Sequence, residues 1–248
     1  MIIDTHCHLS IDENLEKKIN KMKNDIIIVS GYNYESNKLA IDLSNKYNNI
    51  YATIGIHPEE LNSFTKESIT FIEKNIKNKK VVGIGEIGLD YHYTKDTKET
   101  QKKLFIKQLD IAKENNKSVV IHSRDAHKDT FDILKNYKDI KKVLHCYSGS
   151  LELALEYIKI NTLLGIGGIV TFKNASNILE IVKNINIEYI LLETDSPYLT
   201  PEPFRGTENE PYNVYLVAKK ISEIKNISVE KVIDQTTKNA KSIFDLEI

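Results

Sequence analysis

VVGIGEIG (residues 81 to 88) and SVVIHS (residues 118 to 123) enclose a helical segment, and this unit decides the fold of the chain. In the segment from Lys98 to Asn115, apolar residues starting with Phe105 and Leu109 recur at spacings of four and three, which places them on one stripe of a helix. Both flanking runs are almost wholly apolar, as is typical of parallel strands covered on both faces. The unit therefore predicts two parallel strands joined by a crossover helix.

Apolar runs of this kind occur eight times, with polar connections long enough for a crossover helix. Eight regular repeats in 248 residues favour a closed barrel, whose typical length is about 250 residues, over an open doubly wound sheet. We therefore expect an α/β fold: a single (β/α)8 TIM-type barrel domain over residues 1 to 248, with a C-terminal helix from Ser228 to Phe244 that Ser228 caps. The predicted strands are IIDTH (2 to 6), IIIVSG (26 to 31), YATIGI (51 to 56), VVGIGEIG (81 to 88), SVVIHS (118 to 123), KVLHCYS (142 to 148), TLLGIGG (162 to 168) and YILLETD (189 to 195).

Composition narrows the class of protein. Lys and Arg number 34 against 35 Asp and Glu, so a formal net charge of -1 offers no overall attraction for polyanions or anionic membranes. No apolar run approaches the length of a membrane span, and the first residues do not resemble a secretory signal. Cys7 and Cys146 are too few for a disulfide framework. We expect a cytoplasmic enzyme with both cysteines reduced.

Histidines and acidic residues stand at or near the carboxyl ends of five predicted strands. The carboxyl ends of barrel strands form the active-site mouth, so these side chains are expected to converge there. His6 and His8 are two residues apart in a strand and therefore project to one face. The residues that we expect at the mouth are His6, His8, Glu86, His122, His145 and Asp195.

Four histidines and two acids exceed the ligand set of one tetrahedral metal site. Taken singly, each histidine is more often a core or surface residue than a metal ligand. Glu86 and Asp195 could likewise each form a buried salt bridge with a cationic residue and so help to close the barrel. Cationic partners are missing from those strand ends, however, and buried carboxylates are costly unless a cation satisfies them. The set favours a binuclear site, for which hydrolysis of a phosphoester is the natural reaction.

Ordered motifs across nearly the whole chain resemble those of the TatD family of metal-dependent deoxyribonucleases, in the amidohydrolase superfamily. Related amidohydrolases often use a carbamylated lysine as the metal bridge, but the segment from Gly85 to Asp90 contains no lysine, which favours the TatD-like arrangement. The motifs are DTHCHL (4 to 9), GIHP (55 to 58), GEIGLDY (85 to 91), IHSRDA (121 to 126), HCYSGS (145 to 150), ETDSPYLTP (193 to 201), NEP (209 to 211) and TTKNAKSIF (236 to 244).

The resemblance implies a metal-ligand set for two divalent ions with Glu86 as their bridge. Asp195 is expected to be both a ligand and the acceptor of a proton from the attacking water. His57 resembles a family histidine that hydrogen-bonds the scissile phosphate, although capping a loop is the other interpretation. The implied ligands are His6, His8, Glu86 and Asp195 for one ion, and Glu86, His122 and His145 for the other.

Arg124 and Arg205 are the only two arginines, and both could hold phosphate through a bidentate guanidinium. The alternative is a salt bridge to a loop carboxylate, Asp125 for Arg124 and Glu208 for Arg205. Glu208 also stands where the family usually has a basic residue, so it is expected to weaken the grip on a long polynucleotide.

We expect a metal-dependent hydrolase of phosphodiester bonds, in the first instance a 3′–5′ exodeoxyribonuclease with two divalent ions (Mg, Mn or Zn). We expect it to act on DNA at strand ends and not to associate with a membrane. We also expect a monomer that needs no obligate protein partner. His92 and His127 are not assigned to metal. Two alternatives remain open: hydrolysis of an ester or amide in a small molecule or an aminoacylated RNA, and a barrel that binds metal structurally or serves as an interaction module.

Overall fold

Eight parallel strands form one sheet in which each strand pairs with the next in sequence. The computed structural model describes residues 1–92 and 95–248. The eight predicted strands are all present. They are β1 (Ile3–Cys7), β2 (Ile26–Ser30), β3 (Ile50–Ile54), β4 (Val81–Asp90), β5 (Ser118–Arg124), β6 (Lys142–Leu144), β7 (Thr162–Ile166) and β8 (Ile190–Leu192).

The segment after β8 returns to β1 and completes the ring. The backbone N–H of Asp195 donates to the carbonyl of His6 at 2.9 Å, and the N–H of His8 donates to the carbonyl of Ser196 at 2.7 Å. These bonds join the last strand's extension to the first strand. The (β/α)8 barrel is therefore confirmed, and the open doubly wound sheet is excluded.

Helices alternate with the strands, as the sequence predicts, and cover the outside of the barrel. The helix predicted from Lys98 begins there and ends at Glu114, and the side chain of Ser228 caps the last helix by accepting from the N–H of Lys231. Within the described ranges, no helix combines the length and the apolar character that crossing a membrane requires. The α-helices are α1 (Leu15–Lys21), α2 (Tyr34–Lys46), α3 (Lys66–Asn75), α4 (Lys98–Glu114), α5 (His127–Leu134), α6 (Leu151–Lys159), α7 (Ser176–Asn184), α8 (Val214–Lys225) and α9 (Val229–Phe244).

Two apolar clusters make up the core. The larger lies between the strands and the helices that surround them. The smaller joins strand residues such as Val120 and Val143 to Ile243 and Phe244 of α9. Because α9 also bonds to the start of β5 through Ser118, it covers the amino end of the barrel. The mouth at the carboxyl end is left for function.

Strands β6 and β8 are shorter than the sequence predicts. Each has three residues, so His145 and Asp195 lie just beyond a strand end instead of within a strand. A turn of the backbone lies beyond the end of each strand: Cys146 and Asp195 have φ values of 44° and 54°, in the left-handed region that extended strands do not adopt. The side chain of His145 still points inward because His145 is two residues from the inner residue Val143, and the side chain of Asp195 faces His6.

Candidate active site

Glu86 of β4 stands at the centre of the carboxyl mouth, and its two carboxylate oxygens face different imidazoles. Oε2 lies 3.5 Å from Nε2 of His6 and 3.4 Å from Nε2 of His8. Oε1 lies 2.9 Å from Nδ1 of His122 and 2.7 Å from Nε2 of His145. One buried carboxylate therefore lies between two pairs of nitrogen donors that come from opposite parts of the barrel.

Asp195 joins the first of these groups. Its Oδ1 lies 3.6 Å from Nε2 of His6 and 3.6 Å from Nε2 of His8. The structure thus brings together all six residues that the sequence places at the mouth, in the two groups that the family resemblance implies. Their assignment as metal ligands remains a prediction.

Hydrogen bonds on the far side of two imidazoles fix which nitrogen faces the centre. Nδ1 of His8 lies 2.9 Å from the carbonyl of Ser30, which can only accept, so Nδ1 carries the proton. Nε2 of His122 lies 2.9 Å from Oδ2 of Asp90 and donates to it. In the neutral imidazoles, the nitrogens that face Glu86 therefore carry lone pairs, as metal ligands must.

The donor set fits a pair of divalent cations. Glu86 is 4% exposed, and its ion-pair contacts within residues 1–92 and 95–248 are all with histidines, so no lysine or arginine of that part neutralises it. Two nitrogen pairs also converge, at 3.3 Å between His6 and His8 and at 3.1 Å between His122 and His145. A buried carboxylate is costly unless positive charge balances it, and either protons on these imidazoles or cations bound in their place supply that charge.

Electrostatics at the centre keep Glu86 ionised. Burial alone would raise its pKa, but the neighbouring His145 and His57 hold the pKa well below its ordinary value. Burial also lowers the pKa of His6 to about 4, which leaves this imidazole neutral and able to bind a cation. For His122, burial opposes the charged form, yet Asp90 and Glu86 outweigh it and raise the pKa to about 9.

His57 lies in the loop after β3 and is 9% exposed. Its Nδ1 accepts a hydrogen bond from the backbone N–H of Glu59 at 3.2 Å, so in the neutral ring Nε2 carries the proton. Nε2 lies 3.4 Å from Oε1 of Glu86 and faces the centre. The ring therefore caps its own loop and also presents a donor to the mouth, so the two interpretations of His57 are compatible.

Two buried acids beside the histidines were not singled out by the sequence analysis. Asp90 is 1% exposed and contacts His122, while Glu193 is fully buried and lies 4.0 Å from Nδ1 of His145. Oε1 of Glu193 accepts from the N–H of Cys146 at 2.5 Å, and burial raises the Glu193 pKa to about 7. For Glu193 the sequence did contain a clue: it precedes Asp195 by two residues in the predicted strand, which places both side chains on the same inward face.

The two arginines lie in different surroundings. Arg124 lines a cavity of about 540 Å³ over the centre, together with Glu86 and His122; we call it the mouth cavity. Arg205 is exposed, its guanidinium lies 3.8 Å from the ring centroid of Phe172, and it is not among the described residues that line the mouth cavity. The structure therefore brings only Arg124 to the centre.

The carboxylates considered as partners of the arginines contact other residues. Oδ2 of Asp125 lies 3.0 Å from Nδ1 of His92. Glu208 lies 2.7 Å from Nζ of Lys18, which also pairs with Asp12 at 3.0 Å. The negative charge of Glu208, expected to repel a phosphate backbone, is thus partly offset by a lysine of α1.

Comparison with known proteins gives one family for nearly the whole chain. Residues 3–245 match the family model described as TatD related DNase. The chain is 42% identical over 252 residues to a protein of Bacillus subtilis named uncharacterized metal-dependent hydrolase YabD, covering 98% of this chain and 99% of that protein. It is 39% identical over 256 residues to the uncharacterized metal-dependent hydrolase MG009 of Mycoplasma genitalium, covering 97% and 98%.

A solved structure shares the whole architecture. The TatD homologue YjjV of Escherichia coli superposes with a TM-score of 0.92 at 27% sequence identity, over 99% of this chain and 98% of that one. The likeness in fold and the family match therefore extend over the same residues.

Proposed function

The chain belongs to the family of TatD-related DNases, and from this premise we propose that it is a divalent-metal-dependent hydrolase of phosphodiester bonds, acting on DNA as a 3′–5′ exodeoxyribonuclease. The observation that carries the proposal is the position of Glu86 between two nitrogen groups, one oxygen toward each. Two ions sharing one carboxylate are typical of enzymes that displace a phosphoryl oxygen. Ions held for structure alone would not need an open cavity above them.

The proposed ligands follow the two groups around Glu86. When bound, a pair of divalent cations lowers the pKa of a coordinated water and neutralises charge on the phosphoryl oxygens. Magnesium, manganese and zinc are the candidates, since the set mixes imidazole with carboxylate. His6, His8, Asp195 and Glu86 would hold one ion, and His122, His145 and Glu86 the other.

Three further roles fall to side chains of the chain itself. Burial alone would raise the pKa of Asp195, but the contact with His8 holds it below its ordinary value, so the ionised carboxylate can accept a proton from the attacking water. The Nε2 proton of His57 is directed at the centre and can be donated to a phosphate oxygen. The guanidinium of Arg124 at the mouth binds the phosphate and orients it.

The test is hydrolysis of single-stranded DNA carrying a label at either the 5′ or the 3′ end. Protein stripped of metal is compared with protein reloaded with magnesium, manganese or zinc, beside Glu86→Gln and the exposed control Glu180→Gln. We expect stepwise shortening from the 3′ end that returns with metal, is retained in Glu180→Gln and is lost in Glu86→Gln, with two bound ions per chain in the wild type.

A different outcome would redirect the proposal. If two ions bind per chain but no DNA is cleaved with any of them, the nuclease proposal is wrong. Esters and amides, including aminoacylated RNA, are then the substrates to assay with the same variants. If Glu86→Gln retains activity but loses stability, the ions have a structural role.

A further inference from the structure

A second cavity lies directly beside the mouth cavity and has no role in the chemistry described above. It has a volume of about 570 Å³ and runs between the loops that follow β1, β2 and β8; we call it the side groove. Its volume falls in the range of small-molecule pockets, about 300–1,000 Å³. His8, Tyr32 and Tyr198 line both cavities, so the groove opens onto the proposed metal centre.

Two tyrosine rings stand at the junction of the cavities, each close to the proposed ligand His8. The ring of Tyr32 lies 5.4 Å from the His8 ring, and that of Tyr198 lies 6.3 Å from it, both edge to face. Tyr198 is 63% exposed, so its ring is accessible to a substrate in the groove. Exposed aromatic rings of this kind stack on nucleobases in proteins that bind single strands.

The charges of the groove indicate which part of a substrate it accepts. Among the residues that the structure describes, its charged lining consists of two lysines and three acids, Lys18, Lys38, Glu35, Asp42 and Glu208. Lys18 is already engaged by Glu208 at 2.7 Å and by Asp12 at 3.0 Å. A run of phosphates needs an excess of basic side chains, and this lining has none. The groove therefore suits an uncharged portion of the substrate.

From these observations we propose that the side groove binds the terminal nucleoside of the strand, with its base stacked on Tyr198 and the adjoining phosphate at the metal centre. This inference rests on the proposed function. A groove that accepts a base and sugar but not a continuing phosphate chain explains why cleavage would start at a strand end, and it assigns Tyr198 to the recognition of that end. The 3′-terminal nucleoside is the occupant for a 3′–5′ exonuclease.

The experiment compares two single-stranded DNA oligomers that differ only in the 3′-terminal nucleotide, which carries its base in one and is abasic in the other. Manganese-loaded wild type, Tyr198→Ala and Phe204→Ala are assayed for kcat/KM of the first cleavage. Phe204 is a matched control, because it is 51% exposed in the same loop but lines neither cavity.

Stacking of one base predicts a preference of the wild type for the intact end by about tenfold or more. Tyr198→Ala is expected to lose most of that preference by slowing only the intact oligomer, whereas Phe204→Ala keeps it. Equal slowing of both oligomers by Tyr198→Ala, or no preference in the wild type, would overturn the inference while leaving the nuclease proposal in place.

Failure of the nuclease proposal is recognised separately, as absence of cleavage of both oligomers by the wild type. In that case, binding of thymidine 5′-monophosphate to the manganese-loaded proteins is measured by calorimetry. Binding that Tyr198→Ala weakens about tenfold and Phe204→Ala leaves unchanged supports the nucleoside site. Equal binding by wild type and Tyr198→Ala would rule the site out.

Discussion

Oδ2 of Asp90 lies 2.9 Å from Nε2 of His122, and this contact sets the nitrogen that His122 presents to Glu86. Asp90 is itself held in place, because its backbone N–H donates to the side chain of Gln101 at 2.9 Å. The pair resembles the carboxylate–histidine arrangement that orients ligands around metal ions. Asp90 is thus a positioning residue for the proposed second ion.

Asp90→Asn is expected to weaken metal binding without abolishing it. The amide oxygen can still accept from His122 but carries no negative charge, so we expect a loss in metal affinity of about 10- to 100-fold. Titration of metal-free protein with zinc measures it, with the exposed Asp234→Asn as control. Unchanged affinity in Asp90→Asn would show that the contact is incidental.

His57→Gln is expected to separate catalysis from metal binding. Because the hydrogen bond from Glu59 directs the Nε2 proton of His57 toward the centre, the ring is expected to act as a donor and not as a ligand. Activity should fall by about 10²- to 10⁴-fold while the number of bound ions per chain stays at the wild-type value. Elemental analysis beside the nuclease assay tests this. Loss of an ion would instead make His57 a ligand.

Gly165→Ala is expected to destabilise the fold by crowding a buried acid. A Cβ at this position would lie 2.1 Å from Oε2 of Glu193, whose side chain is fully buried and held by Cys146. Overpacking of this kind costs about 1–3 kcal/mol in unfolding free energy.

The matched control is Gly167→Ala, where the nearest atom to a new Cβ would lie 3.5 Å away, an ordinary contact. Denaturation in urea compares the two variants. Equal stability of Gly165→Ala and Gly167→Ala would contradict the proposed crowding of Glu193.

Lys142→Met is expected to change how stability depends on pH. Lys142 is fully buried at the start of β6, where its Nζ donates to the carbonyls of Tyr137 and Ile140 at 2.8 and 2.6 Å. Burial lowers its pKa to about 8. Between pH 8 and the ordinary lysine pKa of about 10.4, the unfolded chain therefore binds more protons at this position than the folded protein does.

The contribution of Lys142 to unfolding free energy should accordingly rise with pH across that interval. The stability of the wild type relative to Lys142→Met is expected to increase from pH 8 to pH 10. Urea denaturation at pH 7, 8, 9 and 10 measures the difference. A difference that stays constant over this range would show that Lys142 titrates normally in the folded protein.

Local patterns were enough to determine the barrel. Apolar runs of strand length and the helical stripe around Phe105 are periodic patterns of side chains, and they can be recognised in the sequence without knowledge of the fold. The same period places His6 beside His8, and the carboxyl-end rule for barrels gathers Glu86 and Asp195 with them. The family match over residues 3–245 agrees with the motifs from which the resemblance was drawn.

Only the tertiary structure decided what surrounds these residues, because the relevant contacts join parts of the chain that are far apart in sequence. Which oxygen of Glu86 faces which imidazole depends on the closure of the barrel. The apolar run from 142 to 148 likewise did not reveal that β6 ends at Leu144, shortly before the backbone turn at Cys146. The pairing of Glu208 with Lys18 joins residues 190 positions apart. Tyr198 lies beside His8 only because of long-range packing. The periodicity of the sequence around either residue does not predict this contact.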